Sequence, residues 1–299
     1  MIRLLCLLLL SASAAAQVSV IDYQGREIVL EQAAQRVIGM SPHVVENLYS
    51  AGAGERMVGV TSYSNFPEAA LKLPIVGDYS STNYELITEL NPDLIVLWNS
   101  GRHLEVAEKL RELGFVVYVD DPHKLEDVER SIRDMAVLMG TTEEAEVATQ
   151  QFLQRLAKMR QQYADRSDVR VLYQVWMDPL QTLNGNHIIS DVIRLCGGRN
   201  VFAEEESLAP KINIEAVIAR NPEAIVSGGM ATKQQEWLSA WQRWPVIDAV
   251  KKKHVYGIEP DIISRHTVRL LDGAQAMCEH LEKVRLYQGT EVEIKADFK

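Results

Sequence analysis

The sequence predicts an α/β fold of two three-layer lobes, each with a mainly parallel sheet, joined by one long α-helix. Strand-like and helix-like segments alternate through residues 36–119 and again from 169 onwards, which is typical of parallel sheets covered by helices on both faces. Between these two regions, residues 125–166 contain no strand signal. Finally, a segment of the first half recurs in the second half, which indicates two lobes of similar architecture.

The first half begins with two short predicted strands around a turn at residues 22–25. Further strands are predicted at 36–40 (RVIGM), 57–61, 93–98 (DLIVLW) and 115–119, with helical patterns at 44–51, 83–90 and 105–113. The run DLIVLW is almost continuously apolar, as expected of a strand that is buried on both faces.

The long helix is predicted after a shorter one. Residues 125–139 are helical and Gly140 ends that helix, after which apolar residues keep a helical spacing as far as residue 165. A helix of about 24 residues measures about 36 Å and can run along a whole domain. We therefore expect a first lobe at 17–140, a connecting helix at 141–166 and a second lobe at 167–299.

The second half resumes the alternation with a strand at 169–175 (VRVLYQV). Helices are predicted at 188–196, 214–219 and 274–283, and strands at 223–226 and 254–258. Trp237, Trp241 and Trp244 follow a helical spacing, which predicts that they pack within this lobe.

The internal repeat aligns residues 83–96 with residues 213–226 and has the pattern N-x-E-x5-N-P-[DE]-x-I-V. In each copy an Asn can cap the start of a short helix, and the helix stops before Asn-Pro. Glu85 and Glu215 occupy the same place in the two copies, exposed near the positive end of the helix dipole.

Residues 1–16 (MIRLLCLLLLSASAAA) are expected to form a secretory signal peptide that is cleaved before Gln17. The apolar run at residues 4–10 is far shorter than the roughly 20 residues that cross a bilayer. We therefore expect an exported protein.

The net charge and the absence of known motifs argue against nucleic-acid binding, catalysis and metal binding. The net charge of −10, from 31 Lys+Arg and 41 Asp+Glu, argues against nucleic-acid binding. The chain has no G-x-S-x-G motif, dinucleotide fingerprint or P-loop, and its seven His lack H-x3-H spacing. We expect no catalytic residues, no metal site and no cofactor. His43, directly after RVIGM, is interpreted either as a ligand contact or as a solvated histidine at a helix start.

Two cysteines, Cys196 and Cys278, remain after removal of the signal peptide. In an oxidising compartment they have one possible pairing, which would close a loop of about 80 residues. A disulfide is favoured over two independent buried thiols.

Two tryptophans, Trp98 and Trp176, are placed at the carboxyl ends of predicted parallel strands, where open α/β sheets bind ligands. Such side chains suit a large flat ligand, although packing in the core explains each of them equally well.

These segments resemble the cobalamin-binding and ferric-siderophore-binding periplasmic proteins of bacterial ABC importers. The similarity rests on residues 36–42, 58–67, 83–96, 161–165, 195–202 and 213–226. The sequence is most similar to the cobalamin branch of this family. The marks of that branch are the segment SYSNFP, the later strand that ends in a tryptophan, and the positions of Cys196 and Cys278. The resemblance implies a monomer that delivers a corrinoid, cobalamin above all, from its inter-lobe cleft to an inner-membrane permease and ATPase.

The resemblance also implies roles for individual residues. Glu85 and Glu215 match surface glutamates that dock onto permease arginines, and the ligand-contacting positions match Tyr63, Tyr79, Trp98, Asp261 and Arg265. The pocket of this sequence differs from the cobalamin branch at two positions. Ala209 falls near a position where that branch has a tryptophan in the second lobe, and Tyr79 stands where its closest members have a tryptophan in the first lobe. A ferric siderophore or haem carrier is therefore a second hypothesis, and an exported enzyme on this architecture is a third.

Overall fold

The computed structural model describes residues 17–101 and 103–297, and the surroundings of side chains as far as Tyr287. The signal peptide expected at residues 1–16 lies outside the described residues. Within them, no helix is both long and apolar enough to cross a membrane.

The first lobe consists of an N-terminal hairpin followed by a parallel sheet with its helices. The hairpin pairs β1 (Val18–Ile21) with β2 (Glu27–Leu30) in antiparallel register. The sheet has the order β5-β4-β3-β6-β7, formed by β3 (Val37–Gly39), β4 (Met57–Thr61), β5 (Ile75–Gly77), β6 (Leu94–Trp98) and β7 (Val117–Asp120). Its helices are α1 (Pro42–Ser50), α2 (Tyr84–Leu90) and α3 (His103–Glu112).

The two lobes are linked by α4 (Leu125–Met139) and the long α5 (Thr142–Tyr163). Gly140 ends α4 in the left-handed conformation with φ 65°, as the sequence predicts. The 22 residues of α5 span about 33 Å at 1.5 Å per residue. One buried face of this helix, with Phe152, Leu156 and Met159, joins a core that continues from the first lobe into the second.

The second lobe contains a four-stranded parallel sheet with the order β11-β8-β12-β13, formed by β8 (Val169–Gln174), β11 (Gly198–Asn200), β12 (Ala224–Ser227) and β13 (Val255–Gly257). A short hairpin of β9 (Trp176–Met177) and β10 (Leu180–Gln181) stands at the end of β8. The helices are α6 (Ile188–Leu195), α7 (Ile214–Arg220), α8 (Ala231–Ala240), α9 (Asp248–Lys251), α10 (Pro260–Ile263) and α11 (Leu270–Asp297). The predicted fold class is therefore confirmed.

The repeat in the sequence is also a repeat in three dimensions. Asn83 accepts a hydrogen bond from the Leu86 backbone N–H at 2.9 Å, and Asn213 accepts one from the Ala216 N–H at 2.8 Å. Each side chain thereby satisfies a free N–H group in the first turn of its helix, α2 or α7.

The carboxyl ends of these two helices match as well. Asn91 and Asn221 both take the left-handed conformation, with φ of 43° and 41°. In the first lobe the Arg36 Nε donates to the carbonyl of Asn91 at 3.1 Å, and in the second lobe the Arg170 Nε donates to the carbonyl of Asn221, also at 3.1 Å. The repeat therefore extends to arginines at the start of a core strand in each lobe.

The disulfide joins Cys196, which follows α6, to Cys278 in the first third of α11. Both residues are fully buried. The bond closes a sequence separation of 82 residues and ties two helices of the second lobe together.

One tryptophan differs from its predicted place. Trp176 does not end β8, which stops at Gln174, but begins the β9–β10 hairpin beyond it. By contrast, Trp237 and Trp241 are only 6% and 0% exposed, so their predicted packing in the second lobe is what the structure shows.

Candidate functional site

A cleft lies between the carboxyl edges of the two parallel sheets. Its cavity of about 510 Å³ is lined by the last residue of β6 and by segments that follow β3 and β4 in the first lobe and β12 and β13 in the second. Ligands bind at this edge of open α/β sheets because the loops that leave the strands can diverge there. The volume lies in the range of about 300–1,000 Å³ that ligand pockets usually have.

Four of the five predicted ligand residues line this cavity: Tyr63, Trp98, Asp261 and Arg265. Tyr79 is not among its walls. It is 78% exposed, and a β-carbon placed on Gly101 would lie 3.5 Å from its hydroxyl. Tyr79 therefore lies next to the loop that follows Trp98, outside the walls of the cavity.

Tyr63 projects from the first lobe and is 84% exposed. Its backbone has φ 67°, a left-handed conformation that costs an ordinary residue about 1 kcal/mol. The Arg265 guanidinium, from the other lobe, donates to its carbonyl at 3.2 Å. The exposed ring is thus presented by a backbone turn that the opposite lobe holds in place.

The floor of the cleft is a cluster of rings around Trp98. The indole meets His43 edge to face at 5.1 Å between centroids and meets His266 at 5.5 Å. His266 belongs to the second lobe and also contacts His43 at 5.2 Å. These aromatic contacts therefore close the floor from both lobes.

The histidines of this floor are neutral at ordinary pH. Burial lowers the pKa of His43 to about 3, and burial lowers the pKa of His266 well below its usual value. His43 is only 4% exposed, so the hypothesis of a solvated histidine at a helix start is wrong. Its side chain lines the cavity instead.

Asp120 lies behind His43, with 3.9 Å between its Oδ2 and the His43 Nε2. Burial raises the pKa of this carboxyl group to about 7, and Ser131 donates a hydrogen bond to it. In mildly acidic solution both His43 and Asp120 are therefore uncharged, and the floor presents apolar ring surface to the cleft.

A buried carboxylate, which the sequence did not single out, joins the lobes beside the cavity. Glu46 of α1 receives the Arg265 Nη1 at 2.6 Å, the Arg269 Nη1 at 3.2 Å and the Thr267 hydroxyl at 3.2 Å. Its side chain is 2% exposed. The available signal was that Glu46 is the single acidic residue of α1.

This contact changes how Arg265 and Asp261 can act. The Arg265 guanidinium is directed at Glu46, at the Tyr63 carbonyl and, at 2.8 Å, at Asp261. Asp261 also accepts from the Asn65 amide at 3.1 Å, yet its side chain stays 36% exposed. Asp261 can therefore accept a further hydrogen bond from a ligand, whereas Arg265 mainly holds the two lobes and the rim together.

Glu85 and Glu215 lie outside the cleft, in the first turns of α2 and α7. Both are exposed, and among the described residues neither carboxylate has an ion-pair or hydrogen-bond partner. Because α2 follows β5 and α7 follows β11, each helix starts at the carboxyl edge of its own sheet. One glutamate thus stands on each lobe, on the side where the cleft opens.

Within the described part of the chain, no group of three or more His, Cys, Asp or Glu is arranged to hold a metal ion. The chemistry that this site offers is aromatic contact, hydrogen bonding and the carboxylates of Glu259 and Asp261, both of which reach solvent.

Known proteins are similar to this chain in both sequence and fold. The vitamin B12-binding protein of Vibrio cholerae is 34% identical over 249 residues, which cover 83% of this chain and 90% of that protein. The vitamin B12-binding protein of Yersinia pestis is 32% identical over 253 residues, 85% of this chain and 88% of that protein.

Among solved structures, the periplasmic vitamin B12-binding protein of Vibrio cholerae superimposes with a TM-score of 0.77 at 33% identity, over 84% of this chain and 98% of that one. A periplasmic haem-binding protein of Pseudomonas aeruginosa has the same fold, with a TM-score of 0.72 at 22% identity over 82% of this chain and 91% of that one. The family model described as periplasmic binding protein matches residues 37–262. The chain belongs to the periplasmic binding protein family.

Proposed function

We propose that this protein captures a corrinoid, vitamin B12 above all, in the cleft between its lobes and delivers it to an ABC importer of the inner membrane. The observation that carries the proposal is the cavity itself, with its neutral aromatic floor and a rim of hydrogen-bonding groups from both lobes. The names of relatives that cover most of the chain point to the same ligand. The protein acts in this proposal as a carrier without catalysis and as a monomer.

The proposed contacts follow from the chemistry of a corrin ring, which is broad and apolar on its faces and carries amide groups at its edge. Trp98 supports one face, and the exposed rings of Tyr63 and Tyr79 flank it. Asp261 accepts hydrogen bonds from edge amides, and Arg265 fixes the rim on which Asp261 stands. Affinity then comes from burial of the flat faces, and orientation from the polar rim.

Delivery is assigned to Glu85 and Glu215. Two exposed carboxylates, one on each lobe and both on the side of the cleft, can pair with arginines of a permease. Contacts on both lobes let the permease hold the carrier across its opening. In this proposal the signal peptide at residues 1–16 is removed on export, so the mature chain starts at Gln17.

Calorimetric titration of the mature chain with cyanocobalamin, haemin and ferrichrome tests the ligand. We expect cyanocobalamin to bind with Kd of about 1 µM or lower and the other two to bind far more weakly. Trp98→Ala should weaken corrinoid binding at least about tenfold, because it removes the floor of the cavity. Tight binding of haemin or ferrichrome without corrinoid binding would overturn the proposal.

A further inference from the structure

Trp176 has a large aromatic side chain that is not among the residues lining the cavity described above. It opens the β9–β10 hairpin, two residues after β8 ends at Gln174, and is 39% exposed. This position lies at the carboxyl edge of the second sheet, the edge that faces the cleft. An indole left so far in solvent gains little from folding alone, since most of its apolar surface would be buried in a core position.

The hairpin that carries Trp176 is firmly fixed. Trp176 pairs across the hairpin with Gln181, whose side-chain amide donates to the Ala209 carbonyl at 2.9 Å. The Ile212 N–H donates to the Leu180 carbonyl at 2.9 Å on the other side of the same strand. The indole N–H of Trp176 is itself bonded to the Asp178 carbonyl at 3.0 Å.

The ring of Trp176 also rests on a buried neighbour. It meets Trp237 at 5.1 Å between centroids, and Trp237 is 6% exposed. Trp237 covers Gly229, where a β-carbon would lie 2.2 Å from the indole. The exposed ring of Trp176 is thus held from behind by a second indole, which lowers the entropy that a ligand contact would cost.

The contacts of this ring lead towards the cavity. Gly229, beneath Trp237, is followed directly by Met230, which lines the cavity and is 46% exposed. Met230 gives the second lobe apolar surface in the cavity that Tyr63 and Trp98 line from the first lobe, and Trp176 is linked to Met230 through Trp237 and Gly229. A flat ligand between two lobes gains most when each of its faces meets apolar surface.

We propose that Trp176 is the aromatic contact of the second lobe for the flat ligand, and that it helps select ligands with an extended planar face. This inference rests on the proposed function. It predicts that the bound ligand extends from the Trp98 floor along Met230 to Trp176.

Affinity measurements test the contact. In calorimetry with cyanocobalamin, Trp176→Ala should weaken binding at least about fivefold, whereas Trp176→Phe, which keeps an aromatic face, should stay within about threefold of the wild type. Tyr287→Ala is the matched control, because Tyr287 is 40% exposed on α11 beside His254, at the amino end of β13. It should bind cyanocobalamin as the wild type does.

A second measurement reports proximity and does not depend on stability. The mature chain has only Cys196 and Cys278, which form the disulfide, so Trp176→Cys introduces one free thiol. Saturating cyanocobalamin should slow its reaction with a maleimide at least about fivefold. Val246→Cys, at an exposed site in the loop before α9, should react at the same rate with and without ligand.

The outcomes separate the two proposals. If the wild type binds cyanocobalamin while Trp176→Ala binds equally well and the thiol of Trp176→Cys is not protected, the assignment of Trp176 is wrong and the proposed function stands. If the wild type binds no corrinoid, both proposals are overturned.

Discussion

Glu46 and Arg265 form an ion pair across the two lobes, with 2.6 Å between Oε1 and Nη1 and side-chain exposures of only 2% and 9%. The pair stands at the edge of the cavity and connects α1 to the segment after α10. Together with the continuous core along α5, it ties the lobes at a fixed distance. We therefore expect the cleft to close by small adjustments rather than by a wide hinge motion.

Removal of the Glu46 carboxylate should destabilise the protein strongly. Glu46→Ala leaves the Arg265 guanidinium buried without its main partner, which typically costs 3–5 kcal/mol. We expect urea denaturation to show a loss of about 3 kcal/mol in the free energy of unfolding. Asp168→Ala is the control, because the Arg199–Asp168 pair has side-chain exposures of 58% and 53% and should change stability by less than about 1 kcal/mol. Equal effects of the two variants would contradict a structural role for the inter-lobe pair.

Reversal of both docking carboxylates should separate binding from transport. Glu85→Lys with Glu215→Lys should leave the affinity for cyanocobalamin unchanged and abolish uptake in a cell assay, because the two arginine contacts become repulsive. The control is Glu112→Lys with Glu236→Lys, which changes the net charge equally at exposed sites, one on each lobe. Uptake that survives in the first double variant would exclude the docking role.

Acid should weaken the fold through the buried histidines. The folded pKa of His43 is about 3 against 6.5 in the unfolded chain, so between these values the unfolded state binds more protons. Its contribution to the free energy of unfolding is full above about pH 6.5 and falls with decreasing pH by about 1.4 kcal/mol per unit. Asp120 acts in the opposite direction, because its raised folded pKa of about 7 adds stability as the pH falls towards 3.8.

The variant His43→Gln isolates the histidine contribution. Its stability relative to the wild type should improve by about 1 kcal/mol for each pH unit below about 6.5, measured by urea denaturation at pH 7.5, 6 and 5. A difference that stays constant over this range would show that His43 has the same pKa in the folded and unfolded protein.

Loss of the disulfide should cost about 4 kcal/mol, because the bond closes a loop of 82 residues and restricts the unfolded chain. Cys196→Ala with Cys278→Ala should lower the free energy of unfolding, measured by urea denaturation, by that amount. Reductant should then shift the wild type in the same direction and leave the variant unaffected. A variant as stable as the oxidised wild type would contradict this account.

Local signals in the sequence were sufficient for most elements of the fold. Gly140 and the Asn-Pro pairs mark helix ends because only certain backbone conformations fit there, and the continuous apolar run of DLIVLW identifies a strand buried on both faces. The hairpin at Trp176 was missed, because strands of two residues carry no periodicity.

The candidate site was predictable only in part. Trp98 was found from its place at the end of a strand, and Tyr63, Asp261 and Arg265 from the resemblance to a family. Glu46 could not be found in that way, since its partners lie more than 200 residues further along the chain. Helical periodicity indicates that a face is buried but not what it is buried against.

The sequence by itself determined that this protein has two related α/β lobes with one exposed glutamate on each, because the capped helix and the buried strand of the repeat depend on neighbouring residues. Only the tertiary structure decided that His43 is a buried part of the floor, that Arg265 holds the lobes together, that Tyr79 lies outside the walls of the cavity and that Trp176 stands on a separate hairpin. Burial, pKa and ion pairing at these positions depend on groups that folding brings together from distant parts of the chain.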